Sequence, residues 1–178
     1  MKKVIYGLFA VALFAFAPTT NAQASYENRA EPTIVEIAVS NDDFSTLVAA
    51  LKAAGLVDAL SGDGPFTVFA PNNAAFAKID SKTLNSLLEP KNKETLTSIL
   101  TYHVVPGNLM ASDVVKALEK GNGKAEVTTL NGQKLTVVKN SKGIWLKDQA
   151  GNYSQITATD IKGSNGVIHV IGSVVMPK

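Results

Sequence analysis

GPFTVFAPNNAAFAKI, at Gly64–Ile79, is the stretch of this chain that most restricts its fold. The aromatic and β-branched run 66–69 predicts a buried strand, and Pro71 ends it because proline cannot donate to a ladder of backbone hydrogen bonds. Asn72 or Asn73 can then accept hydrogen bonds from the free amides of a short helix. These features predict a strand and a capped helix in the core rather than a binding site, because apolar stripes usually form protein interiors.

Helical periodicity surrounds this segment in the first half of the chain. Apolar residues recur at the spacing i, i+3, i+4 and i+7, which predicts several amphipathic helices. Polar caps and glycine or proline stops bound them. These landmarks are the caps Asn41–Asp43, the stop Gly55, the cap Asp80 or Ser81, the stop Pro90, the apolar set Leu96, Ile99 and Leu100, and the candidate cap Ser112.

Beyond residue 121 the pattern changes from helical to strand-like. The runs AEVTTL and QKLTVVK flank Asn131-Gly132, which predicts a hairpin with a two-residue turn because both turn residues tolerate positive φ. Three more strands are predicted at Ile144–Lys147, Tyr153–Thr159 and Val167–Val175. Helices followed by strands predict an α+β domain.

Two further segments combine apolar strands with polar residues. In TYHVVPG, at Thr101–Gly107, His103 continues an apolar stripe, so its ring is predicted to lie inside with its nitrogens hydrogen-bonded. In DIKGSNGVIHVIGSVVMP, at Asp160–Pro177, the turn GSNG is predicted to need left-handed backbone at its glycines and asparagine. The Asp160 carboxylate is predicted to accept from backbone amides, and Gly172 indicates a bulge.

In this order and at these distances, the three segments resemble the fasciclin-like domain (the fasciclin I domain) of cell-adhesion and matrix proteins. The resemblance extends over about Thr33–Pro177, nearly the whole chain after its first residues. It implies an α+β wedge of two β-sheets joined at an angle, with helices packed along one side. It also implies adhesion outside the cell or at its surface.

The same resemblance implies four candidate binding residues. In animal matrix members of the family, a Tyr-His pair and an Asp-Ile pair before the Asn-Gly turn are linked to integrin recognition. The matching positions here are Tyr102, His103, Asp160 and Ile161. The residues flanking the second pair differ from those of the animal motif. Each pair also has a structural interpretation, as an interior histidine and as a carboxylate that bonds backbone amides.

The beginning of the chain predicts export. Lys2 and Lys3, the apolar run Val4–Ala17 and the small residues around 22–24 are typical of a signal peptide at 1–24. The run is shorter than the roughly 20 residues needed to cross a bilayer, so no membrane span is expected after cleavage. Residues 25–32 are predicted to form a polar leader, and 33–178 a single domain in the periplasm or outside the cell.

Charge and cysteine content restrict the partners. Without the two signal-peptide lysines, the 17 basic side chains fall to 15, equal to the 15 acidic ones, which argues against nucleic acid. The lysines within Lys116–Lys147 are interpreted as solvated positions that oppose aggregation, with a docking patch as the alternative. The chain contains no cysteine, so disulfides and thiolate metal sites are excluded.

The sequence contains no signature of catalysis, neither a nucleophile elbow nor a zinc-binding helix motif, P-loop or dinucleotide fingerprint. A hydrolase or metalloenzyme would have to use His103 or His169, which are far apart in the sequence. We therefore expect no enzyme, no metal and no cofactor, but an interaction or adhesion module that binds a protein or glycan. The alternative is a carrier of a small apolar ligand held between helices and sheet. The partner's identity and the oligomeric state stay open.

Overall fold

The computed structural model describes residues 31–178, so the predicted signal peptide (1–24) and most of the predicted leader (25–32) lie outside it. Within the described residues, helices dominate the first half and strands the second. The helices are α1 (Ile34–Val39), α2 (Ser45–Ala54), α3 (Val57–Ser61), α4 (Asn73–Phe76), α5 (Ser81–Leu87), α6 (Lys93–Tyr102) and α7 (Ala111–Lys120). The strands are β1 (Phe66–Pro71), β2 (Val104–Pro106), β3 (Lys124–Thr128), β4 (Lys134–Asn140), β5 (Gly143–Lys147), β6 (Tyr153–Gly163) and β7 (Gly166–Ile171). Short 3₁₀ helices, Asp42–Phe44 and Pro90–Asn92, precede α2 and α6.

The strands pair in the order β2-β1-β7-β6-β5-β4-β3. β1 and β7 are parallel, and the other neighbours are antiparallel. The start of the long strand β6 pairs with β5, and the rest of it pairs with β7, with two shifts of register between Ile156 and Ile161. The predicted α+β class is confirmed, and the two predicted sheets are the two halves of the strand order, which meet in β6.

Two clusters of buried apolar side chains hold the helices against the sheet. The first joins α1, α2, α3 and α6 to β1 and β7, and includes Ile168. The second joins α7 to β4 and β5, and includes Ile171. Since Ile168 and Ile171 belong to the same strand, β7 is common to both clusters.

The strand-and-cap segment quoted first has the structure that its residues predict. Pro71 is the last residue of β1. The Oδ1 atom of Asn72 accepts from the Ala75 N–H at 2.9 Å and so caps α4. Asn73 has a different role, because its Oδ1 accepts from the Thr46 N–H at 3.1 Å and ties α4 to the first turn of α2. The predicted stop at the end of α2 is also confirmed, by a left-handed glycine with φ of 71°.

The turn between β6 and β7 was predicted to need left-handed backbone. This prediction is wrong, because no residue of 163–166 has positive φ. Glycine is needed there for close packing: a Cβ on Gly166 would lie 2.1 Å from the Phe66 carbonyl oxygen. The Asn165 side chain accepts from the Ile34 N–H at 3.0 Å and donates to the Leu60 carbonyl at 2.8 Å. This turn therefore fastens α1, α3 and β1 together.

Two predicted strand features are wrong. The β3–β4 connection is not a two-residue turn, because residues 129–133 separate the strands and only Gly132 has positive φ. β7 ends at Ile171, before Gly172, so the irregular pairing lies in β6 instead.

The prediction also missed two helices, α1 and α3, and misplaced one cap. Thr33 and Glu36 form a capping box at the start of α1, in which the Glu36 Oε2 accepts from the Thr33 N–H at 2.7 Å. The Thr-x-x-Glu pattern was present in the sequence as a signal for it. Ser112 lies inside the first turn of α7, and the acceptor for the Ala111 N–H is a residue of β6.

Candidate functional site

The predicted pair Tyr102 and His103 lies inside the protein, at the end of α6. Tyr102 is 0% exposed and His103 is 2% exposed. The Tyr102 hydroxyl donates to the Lys134 carbonyl at 3.0 Å, which joins α6 to β4. Burial raises the pKa of this hydroxyl, so the phenol stays protonated.

Both ring nitrogens of His103 are bonded to backbone groups. The Val175 N–H donates to Nε2 at 3.2 Å, which leaves Nδ1 as the donor to the Ile99 carbonyl at 2.8 Å. Burial lowers the pKa of His103 to about 4, because a charged imidazolium would lose its hydration. The neutral ring thus connects α6 to the segment after β7, and the enclosed pair offers no side-chain surface to a partner in this conformation.

The second predicted pair lies in β6, at its irregular pairing with β7. Asp160 has left-handed backbone with φ of 60°, and its Oδ1 accepts from the Ala111 N–H at 2.8 Å. The carboxylate therefore bonds a backbone amide, as the structural interpretation predicts, but that amide begins α7 rather than belonging to the neighbouring turn. Ile161 is half-buried and packs against the first apolar cluster.

His169 completes the same connection. The Asp160 N–H donates to its Nδ1 at 3.3 Å, so Nε2 is the donor to the Leu109 carbonyl at 2.7 Å. The ring is 1% exposed and lies against Phe69, with the ring centroids 5.7 Å apart. Together, Asp160 and His169 fix the loop that leads into α7.

No hydrogen bond within residues 31–178 joins the Tyr-His pair to the Asp-Ile pair. The same part of the chain contains no group of three His, Asp or Glu side chains that could hold a metal ion. The apolar cavity between the helices and the sheet measures about 20 Å³, which is far below the roughly 300 Å³ of small ligand pockets. The binding role of the four residues stays a prediction.

A different surface carries open depressions, on the outward side of β3, β4, β5 and the start of β6. Side chains alternate across a strand, so Leu135, Val137 and Leu146 enter the core while their neighbours point outward. We call this outward surface the basic face. Its outward strand residues are Lys124, Glu126, Lys134, Thr136, Val138, Trp145, Lys147 and Tyr153, and Lys139 and Lys142 border it at the β4–β5 end.

Strand register brings these residues into two rows across the sheet. In one row, Lys147 pairs with Thr136 of β4 on one side and Tyr153 of β6 on the other. In the other row, Val138 lies between Lys124 and Trp145. The rows border two open depressions of about 550 and 610 Å³.

The charges of the basic face are mostly positive. Lys134 forms an ion pair with Glu126 at 2.7 Å, and this hydrogen bond raises the pKa of the lysine. The Lys147 Nζ lies 5.6 Å from the centroid of the Tyr153 ring, in the range of a cation–π contact. Neither Lys147 nor Lys124 has an acidic partner within residues 31–178.

From the sequence, these lysines were interpreted as solvated residues, and their position on one face was not predicted. Alternation in KLTVVK and GIWLK indicates which residues share a side of each strand. The register that puts Lys147 beside Tyr153 depends on the length of the β5–β6 turn, and sequence patterns do not determine that length. The sequence therefore indicates which residues of one strand share a side, but not which residues of neighbouring strands lie side by side.

The sequence model of the fasciclin domain matches residues 42–177. The chain belongs to the fasciclin domain family. It is 50% identical over 146 residues to Protein sll1483 of Synechocystis sp.. The aligned region covers 82% of this chain and 73% of that protein. The chain is 31% identical over 166 residues to the cell surface glycolipoprotein MPB83 of Mycobacterium bovis, which covers 90% and 68% of the two chains.

The fold of this fasciclin domain also matches a solved structure, the FAS1 domain pair from the insect cell adhesion molecule Fasciclin I. The TM-score is 0.72 at 19% sequence identity, over 83% of this chain. The chain spans about half of that solved chain, 51%, consistent with one domain of the pair. The predicted fasciclin-like fold is therefore confirmed. In the described residues, no helix is long and apolar enough to span a membrane.

Proposed function

We propose that this fasciclin domain is a non-catalytic interaction module that binds a protein or glycan at the cell surface or in the periplasm. The observation that carries the proposal is the family match over 42–177. It is supported by a fold shared with a cell adhesion molecule and by similarity to a cell surface glycolipoprotein.

The surroundings of the two histidines support a non-catalytic role. A general base needs a ring nitrogen within reach of a substrate proton. In His103 and His169 all four ring nitrogens are bonded to backbone groups, and both rings are buried. Their geometry connects loops and helices, which supports binding by the exterior of the molecule rather than catalysis by these side chains.

Partner capture tests the proposal. The purified protein is immobilised and exposed to envelope extract from its own host, and free protein is then added in excess as competitor. We expect a small set of protein or glycan species to be retained saturably and displaced by the free protein. Retention that the competitor does not displace, or a substrate turned over by the purified protein, would contradict the proposal.

The location is tested separately, in the organism that encodes the chain. Cell fractionation followed by mass spectrometry is expected to find the protein in the periplasm or medium, with Ser25 as its first residue. Recovery in the cytoplasm with residues 1–24 still attached would contradict export while leaving the binding assay unaffected.

A further inference from the structure

We propose that the basic face binds an acidic polysaccharide. In this complex the sugar rings stack on Tyr153 and Trp145, and the carboxylate or sulfate groups of the glycan bond the surrounding lysine ammonium groups. The inference rests on the proposed interaction function and adds to it the site and the chemical class of the partner.

Protection of a sheet edge does not explain the lysines of this face. Lysines on an edge strand oppose pairing with other chains. Lys124 lies on the edge strand β3, but Lys134 and Lys147 lie on β4 and β5, which are paired on both sides. Lys134 is explained by its ion pair with Glu126, so the ammonium group of Lys147 is the one that needs another explanation.

Positive charge exceeds negative charge on the face. Two acidic side chains line the depressions, against five lysines. Glu126 is already paired with Lys134. Asp148 is 4% exposed and directs its carboxylate inward, accepting from the Asn152 and Met176 N–H groups at 2.7 and 3.1 Å. A polyanion lying across the depressions would relieve the remaining repulsion between lysines.

Two aromatic rings are placed among these charges. Tyr153 is 51% exposed, although the rings of folded proteins usually bury much of their area. Trp145 is half-buried, and its Nε1–H donates to the Asn140 Oδ1 at 3.1 Å, which holds the indole in position. Flat rings held among ammonium groups suit a ligand with apolar ring faces and anionic substituents, and an acidic sugar has both.

The shape of the surface indicates a chain rather than a single small molecule. The two depressions share Lys124, Val138 and Tyr153, so they adjoin each other along the sheet. The six steps along β4 from Lys134 to Asn140 measure about 20 Å at the usual rise per residue of a strand. This is long enough for several sugar units of a polymer.

The charged groups present favour a glycan over nucleic acid. The described residues contain no arginine, since the one arginine of the chain is Arg29. Nucleic-acid sites usually use arginine, whose planar guanidinium bonds phosphate with two parallel hydrogen bonds. Lysines spaced around two rings provide point charges without that geometry.

The fluorescence of Trp145 can report binding directly, because this is the single tryptophan of the chain. The purified protein is titrated with polygalacturonate as the acidic probe and with uncharged dextran as the control. We expect a saturable fluorescence change with polygalacturonate that weakens several-fold when salt screens the charges, and no change with dextran.

Substitutions then locate the site. The double variant Lys124→Gln/Lys147→Gln is expected to weaken polygalacturonate binding about tenfold, and Tyr153→Ala about fivefold, on the scale of partly exposed charge and ring contacts. The matched control Lys52→Gln/Lys82→Gln removes two exposed lysines from α2 and α5. It is expected to change binding by less than about twofold, and circular dichroism should show all variants folded.

Three results would overturn the inference: no saturable signal, equal losses in the control variant, or tighter binding of single-stranded DNA or phosphatidylglycerol vesicles through the same lysines. Partner capture separates this failure from failure of the proposed function. If the protein and its Lys124→Gln/Lys147→Gln variant capture the same partner equally, the interaction module stands and the polysaccharide site is rejected.

Discussion

Asp160 combines a left-handed backbone with a hydrogen bond to the first amide of α7. Left-handed geometry costs a residue with a Cβ roughly 1–2 kcal/mol, and less for aspartate and asparagine, whereas glycine adopts it without this cost. A carboxylate at a helix N-terminus recovers free energy by accepting from an unpaired amide and by its favourable position in the helix dipole. The residue therefore stabilises the α7 junction whether or not it also contacts a partner.

Substitutions at Asp160 separate its two contributions to stability. Asp160→Ala is expected to lower the free energy of unfolding by about 2 kcal/mol, because it adds backbone strain and leaves the Ala111 amide without its acceptor. Asp160→Gly removes the acceptor without the strain and should cost less, and Asp160→Asn should cost least. Urea unfolding measures the order. Equal stability of all variants, with weaker partner capture by Asp160→Ala, would instead assign the carboxylate to partner contact.

Acid should destabilise the protein through His103. Its pKa is about 4 in the folded protein and about 6.5 when unfolded, so protons bind the unfolded chain more strongly. The stability from the neutral ring is fully present above pH 6.5 and is lost as the pH falls toward 4. The loss should reach about 1 kcal/mol at pH 5.5 and about 3 kcal/mol at pH 4.

A glutamine at His103 provides the control, because its amide can donate and accept without titrating in this range. The unfolding free energy of His103→Gln is measured beside that of the original protein from pH 7.5 to 5.5. We expect the variant to be less stable at pH 7.5 and to show a smaller decrease. A decrease of the same size in both proteins would place the acid sensitivity elsewhere.

At the scale of elements, the β6–β7 turn fixes the start of the parallel pair β1–β7. Gly166→Ala is expected to cost more than about 2 kcal/mol, because its Cβ would meet the Phe66 carbonyl oxygen, a backbone atom that cannot rotate away. The matched control is Gly172→Ala, whose Cβ would meet only ordinary contacts at 3.7 and 3.8 Å. Thermal unfolding compares the two, and an equally stable Gly166→Ala variant would show that the two strands can separate there.

The ends of helices and strands were predictable where the properties of single residues determine them. Pro71 and Asn72 mark a strand end and a helix cap by their own backbone properties, and both roles are confirmed. Gly166 was recognised as a turn residue for the wrong reason, because the Phe66 carbonyl that excludes a side chain is 100 positions away in the sequence. Local patterns indicate that a glycine is needed, but a distant contact determines why.

The candidate site was less predictable than the fold, for the same physical reason. Asp160 was expected to accept from nearby amides, but its actual donor, Ala111, is distant in the sequence and adjacent only in the fold. The basic face depends on register: Lys147 and Tyr153 are paired because the β5–β6 turn has a particular length. Such pairings follow from tertiary structure, which cannot be inferred from the residue pattern of a single sequence.

For the whole molecule, we expect one cooperative unfolding transition despite the two apolar clusters. β7 supplies Ile168 to one cluster and Ile171 to the other. If one cluster unfolds and releases β7, the other cluster loses a strand as well. Trp145 fluorescence reports on the β5 region, and helical circular dichroism reports mainly on the first half. Their urea midpoints should coincide. Two separated midpoints would show that the halves unfold independently.

The central place of β7 also affects how the chain matures. Its parallel partner β1 is synthesised about 100 residues earlier and cannot pair until β7 has been made. Contacts between residues so far apart in the sequence slow folding. A nascent chain that has not yet reached residues 166–171 lacks a strand that both apolar clusters share. Until residues 166–171 are made, both apolar clusters therefore remain incomplete.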